Sequence, residues 1–122
     1  MCKILIVDDD REYLNSLNDL LTAEGHIVRT SSNSCDVIGM LHKEIFDILI
    51  TDIIMPDVDG LEIIHQVKFI FPAIKIIAIS GGGYFSSIDL LVMAKGLGAD
   101  IVVSKPFNYH SFADRLNALA AS

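Results

Sequence analysis

The stretch FDILITDIIMP, residues 46–56, decides the fold because it is an apolar run that ends on a carboxylate, that of Asp52. A charge costs little at the mouth of a buried strand and much more inside it, since burial strips away its water. An acid at this position is therefore either a turn-forming residue or a reactive group. Three other apolar runs in the chain also end on chemically useful residues, which favours a reactive group.

The composition predicts one globular domain. The chain has 122 residues, of which 52% are hydrophobic, enough for a single core and too many for a disordered segment. Its apolar runs are far too short for a membrane span or a signal peptide. Cys2 and Cys35 show no metal-ligand or redox spacing, which predicts a location in the reducing cytoplasm. The net charge of −7 disfavours direct binding to nucleic acid or an acidic membrane and favours a cation as partner.

Strand-like and helix-like patterns alternate five times along the chain. The predicted strands cover residues 3–7, 26–29, 47–51, 75–80 and 101–104. Between and after them lie five predicted helices: one with Leu14, Leu17, Leu20 and Leu21 that ends at Gly25, one with Val37, Ile38 and Leu41, one that begins at Gly60 and stops before Pro72, one over residues 88–97 closed by Gly96 and Gly98, and one with Phe112, Leu116 and Leu119. Nearly all-apolar strands in this order predict an α/β fold with a five-stranded parallel sheet, doubly wound and flavodoxin-like, (βα)5, as one domain over residues 1–122.

Ligands of such sheets bind beyond the carboxyl ends of the strands, and this chain places polar residues there. The strand ends carry Asp8-Asp9-Asp10, Asp52, Ser80-Gly81 and Ser104-Lys105-Pro106. Two carboxylates about 4 Å apart repel by roughly 4 kcal/mol at an effective dielectric constant near 20, so the acids need a counter-charge. Mg²⁺ suits carboxylates combined with phosphate oxygens, and a carboxylate can attack phosphorus to form an aspartyl phosphate. Lys105 and Ser80 are the donors able to meet the charge that then develops.

The same motifs resemble the receiver domain of bacterial two-component response regulators. The resemblance rests on VDD at residues 7–9, TDIIMPDVDG at 51–60, ISG at 79–81, LGAD at 97–100 and KPF at 105–107. It runs from residue 3 to about residue 119, and the set in this order and spacing is very specific. It implies a cytoplasmic signalling protein that promotes its own phosphorylation and dephosphorylation and is not an enzyme with an external product. An output domain is not expected in this chain.

The resemblance implies a role for each acid. Asp52 would accept a phosphoryl group from a histidine kinase or a histidine phosphotransfer protein. Asp9 and Asp52 would bind Mg²⁺ directly, Asp8 would bind it largely through water, and the backbone carbonyl of Ile54 would complete the protein ligands.

It also implies how the phosphoryl group would be sensed. Ser80, together with Gly81, would bind the group, Lys105 would pair with it, and the bond from Lys105 to Pro106 would be cis. Phosphorylation would then switch the face formed by the fourth helix, the fifth strand and the fifth helix, where an unknown downstream protein binds. One position departs from the family pattern: the usual aromatic switch residue aligns to Val102, which has no ring to reorient.

Other interpretations of the acids stay open at this point. Asp10 is expected to cap the first helix. An Asp-x-Asp at residues 8–10 would also suit a small Mg²⁺-dependent phosphatase of the haloacid-dehalogenase type, which gives no role to Asp52. A binder of flavin mononucleotide is disfavoured, because three aspartates would repel its phosphate. A docking module that is never phosphorylated is disfavoured by the intact acids, Ser80 and Lys105.

The fourth predicted helix is apolar nearly all round, which indicates a second burial partner. Ile88, Leu91 and Val92 are expected to face the sheet, and Leu90, Met93 and Leu97 the opposite side. This predicts that the helix docks a partner or forms a homodimer; the alternative is a short helix in a crowded core. The four histidines, His26, His42, His65 and His110, have no ligand spacing and are expected at the surface.

Overall fold

The computed structural model describes residues 1–53, 60–80, 87–105 and 107–121, with residues 87–91 described by their backbone alone. Over these residues, strands and helices alternate as predicted. The elements are β1 (Lys3–Val7), α1 (Arg11–Ala23), β2 (Ile27–Ser31), α2 (Val37–Lys43), β3 (Ile48–Asp52), α3 (Gly60–Ile70), β4 (Lys75–Ser80), α4 (Ser87–Leu97), β5 (Ile101–Ser104) and α5 (Tyr109–Ala121), with one 3-10 turn (Ser34–Asp36) before α2. Within this part of the chain, none of the helices has the length and apolarity needed to cross a membrane.

The five strands form one parallel sheet in the order β2-β1-β3-β4-β5. The chain moves outward from β1 to β2, returns to β3, and then proceeds to β4 and β5, so the helices cover both faces. The prediction of a doubly wound, five-stranded parallel sheet is therefore confirmed. The carboxyl ends of β1 and β3 lie side by side at the place where the direction of winding reverses, which is where such sheets bind ligands.

Alternate residues of β1, β3 and β4 enter two separate hydrophobic cores. On β1, Ile4 and Ile6 join the core under α1 and α5, while Leu5 and Val7 join the core under α2, α3 and α4. All four are at most 1% exposed. Each such side chain contributes about 1.5–3 kcal/mol when buried, so both faces fix the register of the sheet.

Several boundaries differ from those predicted, and one difference bears on the site. Residue 52 is the last residue of β3 and not the first residue of the loop, and Asp52 is 6% exposed. β2 runs over Ile27–Ser31, later than predicted. α4 continues through Gly96, and it is Gly98, with a φ of 124°, that follows its end.

Two predictions about side-chain burial are wrong. His26 is 9% exposed, and its Nδ1 accepts a hydrogen bond from the backbone N–H of Cys2, 3.0 Å away. It therefore pins the start of β1 and is not a surface residue. On α4, Val92 is 66% exposed instead of facing the sheet, and Leu97 packs against the core instead of pointing away. Among the described side chains of this helix, residues 92–97, Ala94 is the buried one, at 0% exposed. The predicted orientations of Ile88, Leu90 and Leu91 lie outside the described side chains.

The turn before β5 is built around Gly98 and Asp100. A Cβ at residue 98 would lie 2.5 Å from Cγ of Lys68, and the φ of this residue disfavours any side chain. Lys68 itself donates to the carbonyl of Ile74 at 2.8 Å and pairs with Asp100 at 3.2 Å. Asp100 accepts from the N–H of Ile76 at 2.8 Å, so this turn ties α3 and α4 to the start of β4.

Candidate functional site at the carboxyl edge of the sheet

Polar residues from four strand ends meet at one edge of the sheet. Asp8 directly follows β1, β3 ends at Asp52, β4 ends at Ser80, and Lys105 directly follows β5. Since β1 pairs with β3, β3 with β4, and β4 with β5, all four positions are brought to neighbouring places on the edge. The prediction that these residues meet at one edge of the sheet is therefore confirmed.

Three carboxylates form a compact group at this edge. One oxygen from each of Asp8, Asp9 and Asp52 lies within 4.8 Å of the others. Asp8 and Asp52 are buried, whereas Asp9 is exposed to solvent. Carboxylate oxygens are the ligands that hard divalent cations prefer, so this donor set fits Mg²⁺. Among these three acids and Lys105, negative charges outnumber positive ones by two, which matches the charge of a divalent ion.

Lys105 bridges the two buried acids. Its Nζ lies 3.0 Å from Oδ2 of Asp8 and 3.3 Å from Oδ2 of Asp52. Burial alone would lower the pKa of Lys105, but the hydrogen bond to Asp8 and the charge of Asp52 outweigh it, and the pKa is raised. The backbone N–H of Lys105 also donates to the carbonyl of Ser80 at 2.8 Å, which fixes the start of this segment. The ammonium therefore stays charged and anchored at neutral pH.

Asp10 belongs to the helix and not to the acidic group. Its Oδ1 accepts from the N–H groups of Glu12 and Tyr13 at 3.1 and 3.3 Å, so the predicted helix cap is confirmed. Its own N–H donates to Oδ1 of Asp8 at 3.0 Å. The cap thus orients the Asp8 carboxylate, whose other oxygen meets Lys105.

Tyr13 is a site residue that the sequence reasoning missed. The ring centroid of Tyr13 lies 3.9 Å from Nζ of Lys105, so the ammonium sits over the ring face. Burial, followed by the charges of Asp8 and Asp52, raises the pKa of Tyr13 above its ordinary value, which keeps the phenol neutral. A usable signal existed: Tyr13 is in the first turn of the helix that follows the acids, and that turn must lie close to them.

Gly60 is the second site residue whose role was missed. It was predicted to open α3, and it does, but its lack of a side chain serves the site. A Cβ at this position would lie 2.5 Å from the carbonyl oxygens of Asp52 and Ile53, far inside contact distance. The N–H of Gly60 donates to the carbonyl of Ile53 at 3.0 Å. The backbone of residue 60 therefore packs directly against the backbone that carries Asp52, at a distance that only glycine permits.

Ser80 is fully buried at 0% exposed, and over the described part of the chain its hydroxyl oxygen has no hydrogen-bond partner. A buried hydroxyl without a partner costs about 1–3 kcal/mol, so such groups call for an explanation. A phosphoryl oxygen bound near Asp52, on the adjoining strand, would supply a partner.

The remaining predicted residues are placed as follows. Val102 lies in β5, is partly buried and packs against the core under α2, α3 and α4. The backbone carbonyl of Ile54, the backbone of Gly81 and the cis bond to Pro106 lie outside the described residues.

Comparison with known proteins finds a family whose model matches most of the chain. The family model for the response regulator receiver domain matches residues 4–117. Regulatory protein VanRc of Enterococcus gallinarum is 31% identical over 109 residues, which are 87% of this chain and 44% of that protein. A response regulator receiver domain protein from Clostridium thermocellum superposes with a TM-score of 0.90 and 28% identity, covering 99% of this chain and 95% of the other.

A further similar solved structure is a complex. Response regulator protein TrrA of Thermotoga maritima, in complex with Mg²⁺-BeF, superposes with a TM-score of 0.84 and 28% identity, covering 98% of this chain and 99% of that one. The present chain spans less than half the length of the curated relatives that it matches, and 44% of VanRc. The phosphatase, flavin-binder and docking-module interpretations are not favoured by any of these likenesses. This chain belongs to the family of response regulator receiver domains.

Proposed function

We propose that this receiver domain accepts a phosphoryl group on Asp52 from a histidine kinase or a histidine phosphotransfer protein. The observation that carries the proposal is the meeting of Asp52 with Asp8, Asp9 and Lys105 at the carboxyl edge of the sheet. In the transfer, an Asp52 oxygen forms a bond to phosphorus while the phosphorus–nitrogen bond of the donor phosphohistidine breaks, and the histidine nitrogen keeps the electron pair.

The choice of Asp52 over the other acids rests on its place in the sheet. Asp52 ends β3, and β3 pairs directly with β4, which ends at Ser80. Asp8 lies one strand farther from Ser80, and its two oxygens are engaged by Lys105 and by the N–H of Asp10. A phosphoryl group on Asp52 therefore has both Ser80 and Lys105 as close donors.

Receiver domains bind Mg²⁺ at an acidic pocket, and the donor set here fits that ion. We propose that Asp9 and Asp52 bind it directly, Asp8 largely through water, and the carbonyl of Ile54 as the further protein ligand. When bound, Mg²⁺ would neutralise charge on the phosphoryl oxygens. Lys105 would exchange its contact with the Asp52 carboxylate for one with a phosphoryl oxygen, and the Ser80 hydroxyl would donate to another.

A receiver domain is not an enzyme with an external product. The proposed chemistry is confined to the protein itself: it promotes phosphorylation of its own Asp52 and the later hydrolysis of the acyl phosphate. The phosphorylated state would favour a changed α4-β5-α5 face, treated as a shift between two populations. With valine at residue 102, the large ring usual at this position is missing, so the change must travel by other contacts.

The partners follow from this chemistry. A receiver domain implies a histidine kinase as partner, and the downstream protein is not identified by the fold. We propose that it binds the α4-β5-α5 face, or that two copies associate through α4, where Val92 and Met93 are 66% and 54% exposed. The free thiols of Cys2 and Cys35 suit the proposed cytoplasmic location. That residues 1–122 form a single receiver domain without an output domain stays a prediction.

Labelling with acetyl phosphate in Mg²⁺ tests the assignment of Asp52. The wild type and Asp8→Asn should form an acid-stable, hydroxylamine-labile phosphate, Asp8→Asn more slowly, whereas Asp52→Asn should not. The haloacid-dehalogenase alternative predicts the reverse, with Asp8 as nucleophile and Asp52 dispensable. Labelling of Asp52→Asn at the rate of the wild type would overturn the proposal.

A further inference from the structure

Within the described residues, the side chains that contact the Lys105 ammonium include an aromatic ring beside two carboxylates. Besides the carboxylates of Asp8 and Asp52, Nζ lies 3.9 Å from the ring centroid of Tyr13. The Lys105 side chain is only 18% exposed, so little water competes for the ammonium. A cation over a ring face is attracted by the quadrupole of the ring, and the attraction strengthens as water is removed. The Tyr13 ring therefore attracts the Lys105 ammonium electrostatically, in addition to packing against it.

Four contacts, which connect Lys105, Asp8, Asp10 and Tyr13 in a ring, set the position of the Tyr13 side chain. Asp8 holds Lys105 with one oxygen and accepts from the N–H of Asp10 with the other. Asp10 in turn accepts from the N–H of Tyr13, and the Tyr13 ring returns to Lys105. The four groups lie at the end of β1, at the start of α1 and at the end of β5. The ring face is thus held at the ammonium by the same cap that orients Asp8.

The ring also contacts the segment that leads into α5. Tyr13 meets Phe107 edge to face, with ring centroids 6.1 Å apart, and Phe107 lies 4.8 Å from Phe112. Phe112 is 2% exposed and anchors α5 in the core. A row of three rings therefore runs from Lys105 to α5. Val102, at the position where receivers usually carry an aromatic switch residue, offers no ring of its own.

We propose that Tyr13 is a positioning residue: its ring face fixes the Lys105 ammonium for contact with the phosphoryl group, and the row Tyr13–Phe107–Phe112 ties the position of that ammonium to the packing of α5. This inference rests on the proposed function, because it concerns the lysine that meets the phosphoryl group. A movement of Nζ away from the carboxylates toward a phosphoryl oxygen would change its place over the ring. The ring row would then pass that change to α5.

Proton NMR of the metal-free protein tests the contact in the absence of any ligand. Protons that lie over an aromatic face resonate upfield, so the ε-methylene protons of Lys105 should be shifted upfield from those of the other lysines. Tyr13→Phe should keep the shift and Tyr13→Leu should remove it. An ordinary chemical shift for Lys105 in the wild type would overturn the proposal.

Binding of beryllofluoride, measured by calorimetry in saturating Mg²⁺, tests the consequence. Tyr13→Phe should bind within about twofold of the wild type, and Tyr13→Leu about 5- to 30-fold more weakly, the range expected for loss of a desolvated cation–π contact. Mg²⁺ alone should bind Tyr13→Leu no more weakly than the wild type, because the carboxylates are intact. A parallel loss of Mg²⁺ affinity would show general damage to the site and would overturn the positioning role.

A double-mutant cycle with Lys105→Met separates positioning from packing. In the Lys105→Met background, Tyr13→Leu should change beryllofluoride affinity by less than about twofold, because the group that it positions is gone. An undiminished effect in that background would refute the proposal.

Amide chemical shifts of α5 report the second half of the inference. At saturating beryllofluoride, residues 109–121 should shift in the wild type and in Tyr13→Phe, and much less in Tyr13→Leu. Equal shifts in all three would overturn the coupling. If the wild type itself binds neither Mg²⁺ nor beryllofluoride, the proposed function fails; if it binds and the Leu variant matches it, the role of Tyr13 alone fails.

Discussion

The ammonium of Lys105 and the carboxylate of Asp52 lie 3.3 Å apart at the carboxyl edge of the sheet, although 53 positions separate them in the chain. The same ammonium lies 3.0 Å from Asp8, so one cation holds two buried acids together. Any cation that enters this group must compete with Lys105 for the two carboxylates. The lysine therefore neutralises the two carboxylates when no metal ion is bound, and it is also the donor that would contact the phosphoryl group.

Replacement of Lys105 should expose this competition. Lys105→Met leaves two buried carboxylates without their shared ammonium, so the free energy of unfolding in EDTA should fall by on the order of 3 kcal/mol. Mg²⁺ should bind this variant more tightly than the wild type, because the competing cation is gone. Urea unfolding with and without Mg²⁺ measures both effects, with the exposed Lys43→Ala as control. Unchanged or weaker Mg²⁺ binding would contradict the competition.

The close approach at Gly60 predicts a cost for the smallest possible side chain. In Gly60→Ala, the new methyl group would meet the carbonyl oxygens of Asp52 and Ile53 at 2.5 Å, so the backbone must shift. We expect a loss of about 1–3 kcal/mol in the free energy of unfolding and slower labelling by acetyl phosphate.

A matched control for this prediction lies in α2. A Cβ at Gly39 would meet nothing within 4 Å, so Gly39→Ala should stabilise the helix by about 0.5–1 kcal/mol and leave labelling unchanged. Chemical denaturation of both variants provides the comparison. A harmless Gly60→Ala would show that the backbone near Asp52 is not constrained in this way.

The buried hydroxyl of Ser80 predicts opposite effects on stability and on response. Ser80→Ala removes an oxygen that has no hydrogen-bond partner within the described structure, so the unphosphorylated protein should keep its stability or gain about 1 kcal/mol. Beryllofluoride in Mg²⁺ should bind the variant more weakly, because a donor to the ligand is lost. Ser104→Ala, one strand away, is the control. A clear loss of stability in Ser80→Ala would mean that the hydroxyl already serves the resting fold.

The fold should lose stability at alkaline pH. Burial raises the pKa of Cys2, Tyr13 and Tyr109 above their ordinary values of 9.0, 10.0 and 10.0, and the acid contacts of Lys105 outweigh its burial and raise its pKa above 10.5. The folded state therefore holds protons that the unfolded state releases, and stability falls as the pH rises. Their contribution is fully present below about pH 9 and is lost above it. Urea unfolding between pH 7.5 and 10.5 checks this, and a stability that stays constant or rises would contradict it.

The architecture could be predicted from the sequence because a strand that is buried on both faces consists almost entirely of apolar residues. Residues 4–7 and 76–79 are apolar without a break, which a half-exposed strand does not tolerate. The same logic placed Asp52, Ser80 and Lys105 on one edge, since parallel strands bring their carboxyl ends together. The end of β3 was misjudged by one residue because a strand tolerates an acid at its last position when a lysine neutralises it there.

The remaining parts of the site depend on distances that no local pattern contains. The role of Gly60 is set by the carbonyl oxygens of Asp52 and Ile53, and that of Tyr13 by a lysine from the far end of the chain. His26 was misjudged because its ring accepts a hydrogen bond from the backbone N–H of Cys2, 24 positions away, which no local pattern records. On α4, apolar residues occur on all sides of the helix, so their spacing does not indicate which side faces the sheet. Val92 was therefore assigned to the wrong side.

Diffraction from crystals soaked in Mg²⁺ and beryllofluoride tests the central claim most directly. We expect a fluoroberyllate group bonded to an Asp52 oxygen, with Lys105 and Ser80 in contact with its fluorines and a metal ion held by Asp9 and Asp52. Crystals whose carboxyl edge binds neither metal nor fluoroberyllate, or which carry the group on Asp8 with Asp52 unmodified, would contradict it.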